Sequence, residues 1–311
     1  MAIEKVRGMS IISSDMKNLA VANALAVGPY ALEALAGGGS ALQRIGEYAR
    51  GLPGVKRRVL LTGADQQLAA PEGFTVAPLR DSSLTGLLEK LQELADGFDN
   101  LFYFFADCPL LDGALSARML ESHTRYFADY TFADGYPAGL SPEILRASLP
   151  GALRTLAERS GDSGAEEPLD ARSREAIFEV IKKDINAFDI ETELAPTDLR
   201  LLRAQLFVNN RRNRNLVEAV LTADGRDAES ACAVLQERGE LLRTLPAFFN
   251  LQIVEGCPQL CSYCPYPRFG IREAGKLGEM PLEAFESILA EVQRFCEDAV
   301  ISVSLWGEPA Y

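Results

Sequence analysis

Half of the chain's six cysteines stand within eight residues, in "EGCPQLCSYCPYPR": Cys257, Cys261 and Cys264, spaced C-x3-C-x2-C. Thiolates are soft ligands suited to zinc or to iron–sulfur centres. A structural zinc site is closed by four ligands. No fourth is at hand, because the only histidine is His123 and Cys232 and Cys296 are solitary. Three thiolates on a short loop can hold three irons of a four-iron cluster and leave the fourth open to a small molecule. A zinc knuckle and ordinary surface cysteines are the competing readings.

A second stretch, "DAVISVSLWGEPAY", reads as a strand from Val300 to Leu305 followed by Gly307, Glu308 and Pro309. "PLEAFESILAEVQRFCED" (281–298) reads as the helix that crosses over to that strand, with Cys296 in its core and not a ligand. Together these stretches resemble the radical SAM superfamily, whose signature is C-x3-C-x-aromatic-C. Tyr263 stands at the aromatic position. The resemblance implies a [4Fe–4S] cluster on Cys257, Cys261 and Cys264. It implies S-adenosylmethionine held near Tyr263, Gly307, Glu308 and Pro309, and reductive cleavage to a 5′-deoxyadenosyl radical. The electron would come from a reductant such as a flavodoxin or ferredoxin. That family has a glycine where this chain has Trp306.

Asp107 in "YFFADCPLLD" ends a very apolar strand, a place where a carboxylate commonly faces a ligand crevice. With "DYTFADGYPAGLSPEIL" and "APTDLRLL", residues 16–203 resemble nucleotidyltransferases of the GT-A fold, nearest to the cytidylyltransferases that activate acidic sugars. The resemblance implies that Asp107 carries a divalent metal such as Mg2+. Two departures stand out. The loop after the first strand, "VGPYALEALAGGG", has no cation to grip a triphosphate. Leu194 replaces a carboxylate two residues ahead of the "PTDL" turn, and Glu193 points to the opposite strand face. A degenerate domain that binds a nucleotide, a sugar or a partner is therefore expected over nucleotidyl transfer. Gly37 to Gly39 form a turn before a helix capped by Ser40. "NNRRNRN" (209–215) reads as a solvated helix start, with an anion site as the alternative. His123 reads as structural.

The elements that must position these groups alternate. Strands are expected at 16–27, 57–62, 74–79, 100–107, 129–134, 186–194 and 248–256, with helices from Ser40, Ser83 and Ala114. A helix opened by Pro196 is expected to run on through 209–223, and another over 228–245. The fold class is α/β: a GT-A or Rossmann-like domain, a helical bridge, then the first two strands of a radical SAM partial barrel. Expected boundaries are a tail at 1–15, the nucleotidyltransferase-like domain at 16–207, the bridge at 208–248 and the barrel start at 249–311. That order resembles the spiro-SPASM group, whose SPASM relatives modify peptides or protein side chains. The last segment is too short for a barrel, which takes ~250 residues when complete. The chain is thus expected to be the front part of a longer enzyme, inactive alone. The alternative function is a cytidylyltransferase-like nucleotide- or sugar-binding protein with a metal-binding appendage.

Composition bounds the rest. The net charge of −13 argues against general nucleic-acid binding. No apolar run approaches a membrane span, and "MAIEKVRGMSIISSDMKN" lacks the pattern of a signal peptide. A cytoplasmic protein is expected.

Overall fold

The computed structural model describes residues 16–159, 170–255, 257, 259, 261–263 and 278–303. The chain divides into two compact units. The first holds residues up to 209 and 213–242, and the second holds 210–212 and 243 onward.

The first unit is built on a seven-stranded sheet in the order β3-β2-β1-β4-β6-β5-β7. The strands are β1 (Asn18–Asn23), β2 (Val55–Gly63), β3 (Thr75–Leu79), β4 (Asn100–Phe105), β5 (Tyr130–Asp134), β6 (Glu143–Arg146) and β7 (Ile190–Leu194). All neighbours run parallel except β6, which is antiparallel to both β4 and β5. The mixed α/β architecture with a mainly parallel sheet agrees with the sequence reading.

The central strand β1, "NLAVAN", is buried along its whole length. Because side chains alternate across a strand, Ala20 and Ala22 enter one core and Leu19 and Val21 the other. Helices α1 (Ala41–Gly51), α3 (Gly113–Arg125), α6 (Arg211–Thr222) and α7 (Ala228–Glu237) cover the first face. Helices α2 (Leu84–Ala95), α4 (Leu149–Arg159) and α5 (Ala176–Ile181) cover the second.

Helix α1 begins with a full capping box. The Ser40 hydroxyl accepts from Gln43 N, and Gln43 Oε1 accepts from Ser40 N. The preceding glycines Gly37, Gly38 and Gly39 all have positive φ, which supplies the sharp turn that their sequence suggests.

Several expectations need correction. No helix starts at Pro196. Residues 200–202 form one 3-10 turn ended by Arg203 at φ 49°, and α6 begins only at Arg211. β6 and α4 were not expected. β6 is four residues long, too short to show a period, and α4 carries a proline in its first turn. The segment 211–237, expected as part of a bridge, contributes Leu216, Val217, Val220, Leu221, Ala231 and Leu235 to the first core. The strand expected over 248–256 is broken into β8 (Phe248–Asn250) and β9 (Val254–Glu255).

In the second unit, β11 (Val300–Ser302) pairs in parallel with β8, with Val300 opposite Phe248. β10 (Gly278–Glu279) pairs antiparallel with β9. Helix α8 (Leu282–Phe295) lies between β10 and β11 in sequence and buries no residue fully.

Candidate functional site

The site is built where β4 ends. The run Phe102–Phe105 is apolar on both faces, as a strand covered by helices on each side must be. Two residues beyond its end, Asp107 is held by its backbone: Val208 N donates to Asp107 O at 2.9 Å. Its carboxylate does not face open solvent, and its side chain is 3% exposed. Arg174 Nη2 donates to Asp107 Oδ2 at 2.5 Å and Arg174 Nη1 to Cys108 Sγ at 3.4 Å. The same guanidinium lies 3.7 Å from the Phe207 ring centroid and 4.6 Å from that of Phe105. Both interactions favour a cation. Burial pushes the Cys108 thiol up to about 12, so it stays protonated.

The carboxylate expected to bind a divalent metal is thus already neutralised by an arginine from within the chain. A metal also needs further oxygen ligands. Leu194, at the position of the second carboxylate, is 69% exposed. Its neighbour Glu193 is engaged with Arg118 at 3.1 Å. Among the described residues, no group of three His, Cys, Asp or Glu side chains converges on a point. The residues at Asp107 do not fit a divalent metal.

The loop after β1 is likewise occupied by its own partners. Arg44 Nη2 donates to the carbonyls of Ala36 and Gly38, and Glu218 Oε2 accepts from Ala36 N at 2.8 Å. Arg44 therefore binds the loop's own carbonyls.

The "YPAGL" segment closes the far side. Gly139 has φ +100°, and a Cβ there would lie 2.6 Å from Leu206 O. Only glycine allows this approach, which also lets Leu206 N donate to Ala138 O at 2.7 Å. Asp112 ties two helix starts together. Its Oδ1 accepts from Leu115 N at 2.6 Å in α3, and its Oδ2 accepts from Ala228 N at 2.8 Å in α7.

Other residues singled out by sequence have structural partners. His123 is buried, with Nδ1 2.8 Å from Thr131 Oγ1 and Nε2 3.1 Å from Asn100 Oδ1. Burial pushes it down to about 4, so it is neutral. Arg214 pairs with Glu33 and Glu218, while Arg212 pairs with Asp298 at 3.0 Å. Those arginines are spent on carboxylates, as the solvated-helix reading implies and the anion reading does not. Cys296 is buried, with its sulfur near Pro246 O and Asp298 Oδ1.

In the second unit Cys257 and Cys261 are free and half-buried, and Tyr263 is 89% exposed. Cys264, Gly307, Glu308 and Pro309 lie outside the described residues.

Sequence reasoning missed Arg174 and Glu143. Arg174 stands in "ARSREAIF" with no pattern to single it out, and it meets Asp107 only across 67 positions of the chain. Asp112 did carry a signal, as a cap residue directly ahead of a helix.

With this geometry in view, known structures give a clear relation. A cytidylyltransferase from Leptospira borgpetersenii serovar Hardjo-bovis (strain JB197) superposes on 74% of this chain and 98% of its own, with TM-score 0.55 and 14% identity. The first unit has that enzyme's fold. A 2-C-methyl-D-erythritol 4-phosphate cytidylyltransferase from Thermus thermophilus covers 67% of this chain at 14% identity and TM-score 0.46, with 99% of its own length matched. No family model matches the chain. Two uncharacterized proteins of Treponema pallidum (strain Nichols) share sequence with it. One is 34% identical over 133 residues, 43% of this chain and 36% of that protein. The other is 36% identical over 66 residues, 21% of this chain and 30% of that protein. The chain spans about a third of the length of these curated relatives. Among the described residues, no helix is long and apolar enough to cross a membrane.

Proposed function

We propose that the first unit is a cytidylyltransferase-like domain that binds a nucleotide or a sugar without transferring a nucleotidyl group, and that the second unit is its metal-binding appendage. One observation carries the first part: Arg174 sits on Asp107 at 2.5 Å with its face on Phe207. A buried ion pair backed by aromatic rings is costly to break. A metal would have to displace the guanidinium and would find no second carboxylate at Leu194. Ligand binding by this domain then needs no divalent cation. Titration calorimetry of the full chain with CMP, CTP and a sugar phosphate tests this. Equal affinity in Mg2+ and in chelator is expected for whichever ligand binds. Binding that appears only with Mg2+ refutes it.

A second reading concerns the appendage and is favoured by the order β8, cysteine segment, α8, β11, in which β8 and β11 pair in parallel. Parallel neighbours joined through a helix are the repeating unit of an α/β barrel. In this reading Cys257, Cys261 and Cys264 hold a [4Fe–4S] cluster, and Tyr263, Gly307, Glu308 and Pro309 hold S-adenosylmethionine. The cluster, when bound and reduced by a flavodoxin or ferredoxin, would supply one-electron cleavage of that cofactor in a radical SAM enzyme acting on a peptide or protein. Cys257 and Cys261 fit a soft metal, because both are free thiols accessible to solvent. Iron and sulfide counts after anaerobic reconstitution distinguish the readings. Iron lost in each of the three Cys→Ala variants supports the cluster, zinc alone points to a structural knuckle, and no metal removes both.

A further inference from the structure

Helix α5 is six residues long and rests on rings of β5. Its Phe178 lies 6.1 Å from Tyr130 and 5.5 Å from Phe132, and Tyr130 stacks on Phe132 at 5.8 Å. One carboxyl stands among these rings. Glu143 opens β6 directly opposite Tyr103 in the antiparallel register, and it lines the same cavity of about 260 Å3 as Phe132 and Phe178. The Tyr130 hydroxyl hydrogen-bonds to that carboxyl. Glu143 Oε2 is buried and has no partner.

The charged and titrating groups on the elements packed about Glu143 are committed elsewhere or carry the wrong sign. On β4, the Tyr103 hydroxyl accepts from Asn23 Nδ2 at 2.7 Å, and beyond the strand the Cys108 thiol stays protonated. On β6 itself, Arg146 is turned to Phe127 O and Asp129. On β7, strand alternation puts Glu191 and Glu193 on the other sheet face from Ile190. In the segment entering α5, Arg174 is held by Asp107 and Cys108, and Glu175 adds a like charge. At the other end of α5, Lys182 is paired with Glu179. Ser141 lines the cavity with a neutral hydroxyl. A protonated acid suits this setting. A carboxylate would have neutral hydroxyls at best, beside ring faces that repel an anion. Water is the remaining way to stabilise that charge. Of the three helices over this sheet face, α5 is the shortest, so it is the one most readily displaced to let water in.

We propose that α5 is a pH-sensitive cover on the first unit, seated on the Tyr130 ring while Glu143 is protonated and displaced to admit water when that carboxyl ionises. Tyr130 couples the two events, because its hydroxyl holds the carboxyl and its ring holds Phe178. Burial pushes Glu143 from an ordinary 4.5 up to about 7 in the closed form. The closed form therefore holds the proton more tightly than the open one. Its advantage is complete below 4.5 and is lost progressively as pH rises to 7. Above 7 both forms are ionised and opening levels off. The device is independent of which ligand the domain binds.

Amide hydrogen exchange of the full chain at pH 5.5, 6.5 and 7.5 tests this, with each rate divided by that of an unstructured peptide at the same pH. Protection of residues 176–181 is expected to fall by about fivefold or more from pH 5.5 to 6.5, and to stay below that of β1 throughout. The amides of β1 open only with the whole unit, where His123 on the opposite sheet face offsets Glu143. Their protection should change by less than about twofold over the same interval. In Glu143→Gln the amide still accepts from Tyr130 but does not titrate. Protection of α5 should then stay within about threefold at all three pH values. The comparison of α5 with β1 in the unaltered protein stands even if Glu143→Gln does not fold. Protection of α5 that ignores pH, or that changes only in step with β1, overturns the proposal. The same pH dependence in Glu143→Gln overturns it as well.

Discussion

The end of β4 and the cysteine segment are the two regions with chemistry to offer, and they are built in opposite ways. At the end of β4 several polar groups have partners distant in sequence. Asp107 meets Arg174, Asn23 meets Tyr103, and Asp112 caps both α3 and α7. Around the cysteines, β8, β9, β10 and β11 have two or three residues each, and α8 buries none of its side chains fully. The first region has spent its charged groups on internal partners, leaving a stable binding frame with one open carboxyl oxygen. The second has accessible thiols and little packing. A metal bound by those thiols would add cross-links where the described elements bury little.

The sharpest way to break this contrast is to remove one partner of the buried pair. Arg174→Met leaves Asp107 buried and unpaired, and is expected to cost on the order of 3 kcal/mol in urea unfolding. Cys257→Ala in the metal-free protein should change the same transition by less than about 0.5 kcal/mol, as for other substitutions away from a packed core. Equal effects would erase the distinction between the two regions.

Two buried titrating groups give a pH test of comparable size. Glu143 is pushed from an ordinary 4.5 up to about 7 by burial. Its contribution to stability is present in full below 4.5 and is lost as pH rises through 7. His123 is pushed from 6.5 down to about 4, by burial first and then by the nearby Arg146, with Asp129 opposing. Its contribution is present above 6.5 and is lost as pH falls through 4. Between 4.5 and 6.5 the two slopes oppose each other. Glu143→Gln should therefore expose a loss of stability toward acid, and His123→Gln a loss toward neutral pH. Each amounts to at most about 3 kcal/mol from shifts of this size. Denaturant midpoints from pH 4 to 8 report both, and parallel curves for the two variants would contradict the assignment.

A smaller effect sharpens the same comparison. Gly139→Ala forces a Cβ against Leu206 O at positive φ and is expected to cost about 2 kcal/mol. It should also weaken ligand binding to the first unit. Gly278→Ala in the second unit meets only Glu255, with its nearest side-chain atom 3.1 Å away, and should cost less than about 1 kcal/mol.

What could be read in advance followed the range of each interaction. Apart from β6 and the strand broken into β8 and β9, the strands and the first three helices were legible because period, caps and turns are local: Ser40, Ser83 and Asp112 each cap the helix that follows. The spacing of Cys257, Cys261 and Cys264 is equally local. Asp107 was found by its place after an apolar strand, but its partner was not: Arg174 sits in an unpatterned loop and reaches it only through the fold. Glu143 was hidden likewise, because β6 is short and its register against Tyr103 appears only once the sheet is assembled. The segment after Pro196 was misread because Leu199, Leu202 and Leu206 keep a helical spacing while serving a 3-10 turn and a loop.

The most direct test of the central claim, that Arg174 holds the place of a cation at Asp107, is pyrophosphate release from CTP in the presence of Mg2+. It should be run with the full chain and a panel of acidic sugars and sugar phosphates as acceptors. No release above background is expected, and Asp107→Asn should not change that. Release that requires Mg2+ and disappears in Asp107→Asn would contradict the claim and make the first unit a working cytidylyltransferase.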